Sequence, residues 1–288
     1  MRRRELLQGL ALGGALIATR RLPAGAPVQG GAATRLAMLE RRHGGKLGVA
    51  LLDTGDGSRV GHRADERFLM CSTFKLLLAA AALQRVDSGK ERLDRRIVFG
   101  KDALLDYAPI SKQHVGPPGM TVAELCEAAI TLSDNTAANL LLANIGGPAA
   151  VTSCARGLGD PLTRLDRNEP TLNRPHGDWD TTTPAAMLGD MHELLLGDAL
   201  SLASRTRLTD WLRHCQTGAN SLRAGLPGDW REGDKTGSGD TATNDVAILW
   251  PPRRKPLLVT AYYDHAVMPA KGRHAVLAEV GRIVATVA

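Results

Sequence analysis

The segment that most restricts the fold starts at Ser72 and runs through Thr73-Phe74-Lys75 into Leu76-Leu77-Leu78-Ala79-Ala80-Ala81-Ala82-Leu83. These are strong helix formers with apolar side chains on every face, so the segment reads as a helix enclosed by protein all round. Such a helix needs a sizeable core around it, which 288 residues at 43% hydrophobic content can supply. Other helix signals follow it. Thr121-Val122-Ala123-Glu124 has capping-box spacing and opens a helix towards Thr131 that stops near Ser133. A further helix runs from Thr136 to Asn144 and ends at Gly146-Gly147-Pro148.

Strand signals lie at the two ends of the chain. Leu47-Gly48-Val49-Ala50-Leu51-Leu52, closed by Asp53-Thr54-Gly55-Asp56-Gly57, predicts a strand and a hairpin turn. Val246-Ala247-Ile248-Leu249-Trp250 and Leu257-Leu258-Val259-Thr260-Ala261-Tyr262-Tyr263 predict two more, joined by a proline-rich turn, before a last helix from roughly His274 to Val287. Residues from about 72 to 212 show no convincing strand. A sheet built from the chain ends beside an inserted helical lobe follows, with no repeat interrupting it.

The net charge of +6 points at first to an anionic partner. Residues 1–26, however, hold Arg2, Arg3, Arg4, Arg20 and Arg21 against Glu5, four of the six net charges, so the remainder carries only +2. No basic stripe interleaved with aromatics suggests nucleic-acid binding. The same segment has the order of an export signal: arginines, the apolar run from Leu6 to Ala18, then small residues around Ala24-Gly25-Ala26. Paired arginines followed by Glu5-Leu6-Leu7 predict the twin-arginine route, with a Sec signal as the alternative, and a periplasmic location in either case. No long apolar stretch follows residue 26, so no membrane anchor is expected once the signal is removed.

Three short motifs carry the chemistry: Ser72-Thr73-Phe74-Lys75, Ser133-Asp134-Asn135 and Lys235-Thr236-Gly237. A serine hydroxyl needs a base within hydrogen-bond reach, and Lys75 lies one turn beyond Ser72 on the same helix face. The start of that helix offers backbone N–H groups to a developing oxyanion. Ser133-Asp134-Asn135 follows a predicted helix and can either project into a cleft or cap the next helix. Lys235-Thr236-Gly237 is predicted to open an edge strand whose glycine lets a ligand approach the backbone, though alone it is also a common turn. Between the second and third motifs stands Glu169-Pro170-Thr171-Leu172-Asn173. No histidine falls at H-x-H or H-E-x-x-H spacing, so neither a metal nor another cofactor is expected.

In this order and at these spacings the motifs resemble those of the class A serine β-lactamases, over essentially the whole chain after residue 26. The resemblance implies an α/β (α+β) fold: a largely antiparallel five-stranded sheet flanked by helices, an inserted all-α subdomain, and the active site in the cleft between them. It implies one domain over residues 27–288, with an α/β lobe of about 27–71 and 213–288 and a helical lobe of about 72–212, neither folding alone. The implied catalytic residues are Ser72, Lys75, Ser133, Glu169 and Lys235. Those implied for substrate binding are Asn135, Asn173, Thr236, Gly237, Ser238 and Tyr107, while Asp134 is expected to be structural. The implied activity is hydrolysis of penicillins and cephalosporins by a monomer without cofactors. Ser238-Gly239-Asp240 resembles the strand edge of broad-spectrum members, which adds oxyimino-cephalosporins to the expected substrates.

Two departures from the family pattern stand out. The loop from Glu169 to Asp180 is about two residues shorter than usual, although Arg167 and Asp180 match the pair that ties it closed. The positions of the usual carboxylate-binding arginine hold Ser221, Asn244 and His274, with Arg223 and Arg273 nearby as weak candidates. Of the four cysteines, Cys71 and Cys126 are expected to face Gly239 and Ala79, which argues against two bridges known in the family. Cys71 beside Ser72 reads either as a reactive thiol or as a small buried apolar residue. A D,D-peptidase on the same scaffold would have no need of Glu169, and a β-lactam sensor would carry a membrane segment.

Overall fold

The computed structural model describes residues 30–287; the proposed export signal at 1–26 lies outside them. The chain begins with α1 (Gly30–His43), β1 (Lys46–Asp53), β2 (Arg59–His62) and β3 (Phe68–Leu69), then enters α2 (Phe74–Asp87). Next come β4 (Arg96–Ile97), β5 (Met120–Thr121), α3 (Val122–Thr131), α4 (Asn135–Ile145), α5 (Pro148–Gly157) and β6 (Thr181–Thr182). It closes with α6 (Pro184–Leu195), α7 (Leu202–Arg213), β7 (Arg231–Ser238), β8 (Ala242–Trp250), β9 (Leu257–Asp264) and α8 (Ala270–Val284).

Five strands form one antiparallel sheet in the order β2-β1-β9-β8-β7. Its register follows from alternation, because successive side chains in a strand point to opposite faces. In β1, Leu47, Val49 and Leu51 join a core shared with α1 and α8, while Ala50 and Leu52 join the core on the opposite face. The same division separates Leu257, Val259 and Tyr263 from Leu258 and Tyr262 in β9. A one-residue slip would exchange the two sets, so burial on both faces fixes the pairing.

The second core runs without a break from this sheet face into the helices. It joins Leu52, Ile248 and Tyr262 to the whole buried run Phe74–Leu83 of α2 and to Leu125, Leu141 and Met187. Helix α2 touches α3, α4, α5 and α7, which is why no face of it needs polar side chains. The two lobes therefore share one core. Helix α6, within the stretch read as the helical lobe, packs on β1 and β9.

Several local expectations hold. Thr121 and Glu124 form a reciprocal capping box, and α4 ends at Gly146 in the left-handed conformation. Others change. Helix α8 begins four residues before His274, and Lys235-Thr236-Gly237 lies near the end of β7 rather than opening it. The segment from 72 to 212 does contain strands, β4 paired with β5 and β6 paired with β3, but each is only two residues long. That is too short to carry a period-two pattern.

Leu77 is fully buried in the middle of α2. A Leu77→Ala substitution is expected to lower unfolding stability by about 2–5 kcal/mol, read as a drop in Tm with native circular dichroism retained at low temperature.

Candidate active site

The site forms where the start of α2 meets the outer strand β7. Cys71–Thr73 makes a 3-10 turn that feeds directly into α2, placing Ser72 at the helix start and Lys75 on its first turn. Cys71 (φ 46°), Ser133 (φ 58°) and Asp180 (φ 57°) all adopt left-handed backbone conformations. Side chains other than glycine rarely do so, and such strain persists only where the surroundings hold it in place.

Ser72, Ser133, Asn135, Asn173, Thr236, Ser238 and Tyr107 line one cleft of about 340 Å³. Lys75, Glu169 and Lys235 are buried in its walls. Ser72 Oγ donates to Glu169 Oε1 at 3.2 Å, and Lys75 Nζ lies 3.0 Å from the same oxygen. Asn173 Nδ2 donates to the other carboxylate oxygen, Oε2, at 2.6 Å. Lys75 also donates to Asn135 Oδ1 at 2.6 Å, to the Ser133 carbonyl at 2.8 Å and to Ser133 Oγ at 3.4 Å. The expected Lys75–Ser72 contact is replaced by a bridge through Glu169: among the described residues no hydrogen bond joins Lys75 Nζ to Ser72 Oγ. Lys235 Nζ donates to Ser133 Oγ at 3.1 Å and to the Thr236 carbonyl at 2.8 Å.

Burial opposes the charge on both amines. It lowers Lys75, with Glu169 pulling the other way, and it brings Lys235 down to about 8 with help from Lys75. A lysine brought that close to neutrality can exchange protons at physiological pH.

Supporting residues hold this arrangement. Asp134 accepts from the backbone N–H of Ala137 as the N-cap of α4, and from the N–H groups of Ile110 and Ser111, fixing the loop that carries Tyr107. Asp180 accepts from the N–H groups of Asp166 and Arg167 and from Arg167 Nε at 2.6 Å, closing the short loop at its base. Asn139 was missed by sequence reasoning. Its amide clamps the Glu169 backbone from both sides, accepting from the N–H at 3.0 Å and donating to the carbonyl at 2.8 Å. A polar residue between Ala138 and Leu140 in the helix Asn135–Ile145 was the signal available for it. Thr217 was missed as well; it lines the cleft and its hydroxyl lies 2.5 Å from that of Thr236.

Gly237 has a packing reason beside the one expected. A Cβ there would come within 2.7 Å of the Met70 carbonyl, so the glycine lets β7 abut the turn that carries Ser72. Both nearby arginines are engaged by other groups. Arg273 is buried and donates to Thr243, Gly239 and Met268, and Arg223 is engaged by Glu232 and Asp234. Asn244 donates to the carbonyls of Leu69 and Met70, whereas Ser221 bonds His274, which lines the cleft. Among the described residues no group of three or more His, Cys, Asp or Glu is placed to hold a metal.

The family model described as the Beta-lactamase enzyme family matches residues 31–287. The chain is 48% identical to Beta-lactamase CTX-M-97 of Escherichia coli over 87% of each chain. It is 50% identical to Beta-lactamase L2 of Stenotrophomonas maltophilia over 88% of this chain and 84% of that protein. Among solved structures it resembles an ancestral Gram-negative class A β-lactamase at 61% identity, with a TM-score of 0.87 over 89% of this chain and 100% of the other.

All four cysteines are free and buried, and a Cβ on Gly239 would lie 3.1 Å from Cys71 Sγ, as the expected facing pair requires. Burial raises the Cys71 thiol far above its ordinary range and takes Cys126 and Cys154 up to about 12. None of the three is a thiolate at neutral pH. Ellman's reagent should find no rapidly reacting thiol in the native protein and four equivalents in guanidinium; a fast native equivalent would restore the reactive reading of Cys71.

Proposed function

Since the chain belongs to the class A serine β-lactamases, a family of enzymes that hydrolyse the β-lactam ring, we propose that it does so through an acyl-serine intermediate on Ser72. The observation that carries this reading is the carboxylate of Glu169, which reaches the Ser72 hydroxyl directly and is held by Lys75 and Asn173. Glu169 takes the hydroxyl proton as Ser72 attacks the lactam carbonyl, with the lowered Lys75 sharing that proton through the common Oε1. The backbone N–H groups of Ser72 and Ser238 receive the oxyanion. Ser133 gives its proton to the departing nitrogen and recovers one from the amines beside it.

Deacylation uses the same carboxylate. Glu169 and Asn173 hold and activate a water that attacks the ester, releasing the ring-opened acid and returning the proton to Ser72. Asn173 Oδ1 supports this role, as a buried acceptor with no protein partner among the described residues. Thr236, Lys235 and Ser238 orient the carboxylate side of the substrate. Asn135 meets the acylamide, Tyr107 forms the cleft entrance and Gly237 keeps β7 close enough for Ser238 to take part. A D,D-peptidase or a sensor that stays acylated would gain nothing from this water-activating pair.

The proposed setting is the periplasm, reached by way of the arginine-rich segment 1–26. No described helix is long and apolar enough to cross a membrane. A single chain holds all of the proposed site residues, so the active form is proposed to be a monomer and its role resistance to β-lactams.

Turnover of a chromogenic cephalosporin by the purified protein is expected, with Glu169→Ala slowed by about a thousandfold or more and accumulating acyl-Ser72 in intact-mass spectra. One stoichiometric burst from both proteins would overturn the reading. For the oxyimino proposal, cefotaxime should be hydrolysed with kcat/KM within about a hundredfold of benzylpenicillin, roughly the discrimination that apolar pocket shape alone supplies; a value thousands of times lower would refute it.

A further inference from the structure

We propose that the buried carboxyl of Asp190 on α6 keeps a proton at neutral pH and donates it to Asp160, so that one titratable hydrogen bond latches the root of the Glu169 loop to that helix and weakens as the pH rises.

Asp190 and Asp160 line a cavity of about 330 Å³ between α6 and the turn that follows α5, and none of the proposed catalytic residues borders it. Asp190 is 2% exposed, and among the described residues neither of its carboxyl oxygens has a hydrogen-bond partner. Asp160 is buried too, but it is served: its Oδ1 accepts from the Leu162 N–H at 2.6 Å and from the Thr163 N–H at 3.1 Å. The two carboxyls lie within hydrogen-bonding reach of each other. Two such groups cannot both stay ionised when buried together, and backbone N–H groups favour the charge on the one they point at. The charge therefore belongs to Asp160 and the proton to Asp190, whose hydroxyl then has the Asp160 carboxylate as its acceptor.

The surroundings agree with this assignment. Burial first, and the Asp160 charge second, bring Asp190 up to about 9, while Arg156 of α5 pulls the other way. Arg156 is itself engaged, donating to the carbonyls of Asp160 and Thr163 at 2.6 and 2.7 Å. Cys154 of α5 and Tyr262 of β9 feel the same acid, and burial keeps both neutral. Strand β1 and helix α7, also packed on α6, add no charge to it. On the cavity wall stand Arg59, Asp65 and the pair His192–Glu193, 3.1 Å apart. From Asp160 the contact reaches the loop within a few residues. Thr163 Oγ1 lies 2.6 Å from Thr182 Oγ1, the Arg164 N–H donates to the Thr181 carbonyl, and the N–H groups of Asp166 and Arg167 donate to Asp180.

An aspartate in the unfolded chain titrates at about 3.9. Between there and about 9 the native state holds one proton more than the unfolded state, so the stability due to this group is full below the unfolded value and is lost as the pH rises through the folded one. The test is urea unfolding of the purified protein between pH 5 and 9 in the wild type, Asp190→Asn and Asp190→Ser. Neither replacement titrates, and the serine variant keeps a reference should the asparagine variant not fold. The wild-type unfolding constant divided by that of either variant is expected to rise by about tenfold per pH unit from pH 5 to 7, the linkage of one proton, and to level off towards pH 9. A ratio that does not change with pH would overturn the proposal. So would a wild-type Tm raised by millimolar calcium chloride and not raised in the variants, because a cation rather than a proton would then join the two carboxylates.

Discussion

The contact on which the rest of the architecture depends is the buried pair of Lys75 and Glu169, 3.0 Å apart with both side chains sealed from solvent. Removing two charges from water costs several kcal/mol per ion, and their attraction repays this only when the remaining lone pairs and protons are also satisfied. Here they largely are. Ser72 and Asn173 serve the carboxylate, and Asn135 and Ser133 serve the ammonium. The partners come from three segments: the turn at the start of α2, the loop running into the first residue of α4, and the loop closed by Arg167 and Asp180. The pair thus needs all of these segments in register, and each of them has a fixing device of its own.

Those devices explain how the loop presents its carboxylate. Asp180 holds the base through two backbone N–H groups and Arg167, and Asn139 grips the Glu169 peptide from the α4 side. The carboxylate is therefore positioned by contacts on both flanks rather than by the length of chain between them. In the outer part of the loop Trp179 packs at an angle against His176 and over Arg167. From Arg174 to Trp179 that part of the loop is exposed, whereas Asn173 at its start holds Glu169.

What the sequence made legible follows the same physics. The α2 run, the alternating strands and the capping box were readable because burial and capping impose local patterns. The motif residues were readable because three signatures in one order are rare together. Helix α1 was not read, although Ala32, Leu36 and Leu39 at helical spacing carried its signal, because charged residues dominate its exposed face. Asn139, Thr217 and the packing reason for Gly237 were hidden more deeply. Each owes its role to a neighbour distant in sequence, on the Glu169 loop, on β7 or on the Met70 turn, and no local pattern encodes such a pairing.

Ser133 shows how far the geometry constrains the chemistry. Its hydroxyl has two acceptor positions and one proton. Lys235 donates to it at 3.1 Å and Lys75 at 3.4 Å, so both acceptor positions face amines. The proton is left to point away from them, and Ser133 lies on the cleft wall, which suits its proposed role as donor to the departing nitrogen. Burial lowers both amines, and the charge of Lys75 adds to that for Lys235, so they can replace that proton once it is given up. A single amine could fix the hydroxyl or reload it. With two, the orientation survives while one of them is changing its protonation state.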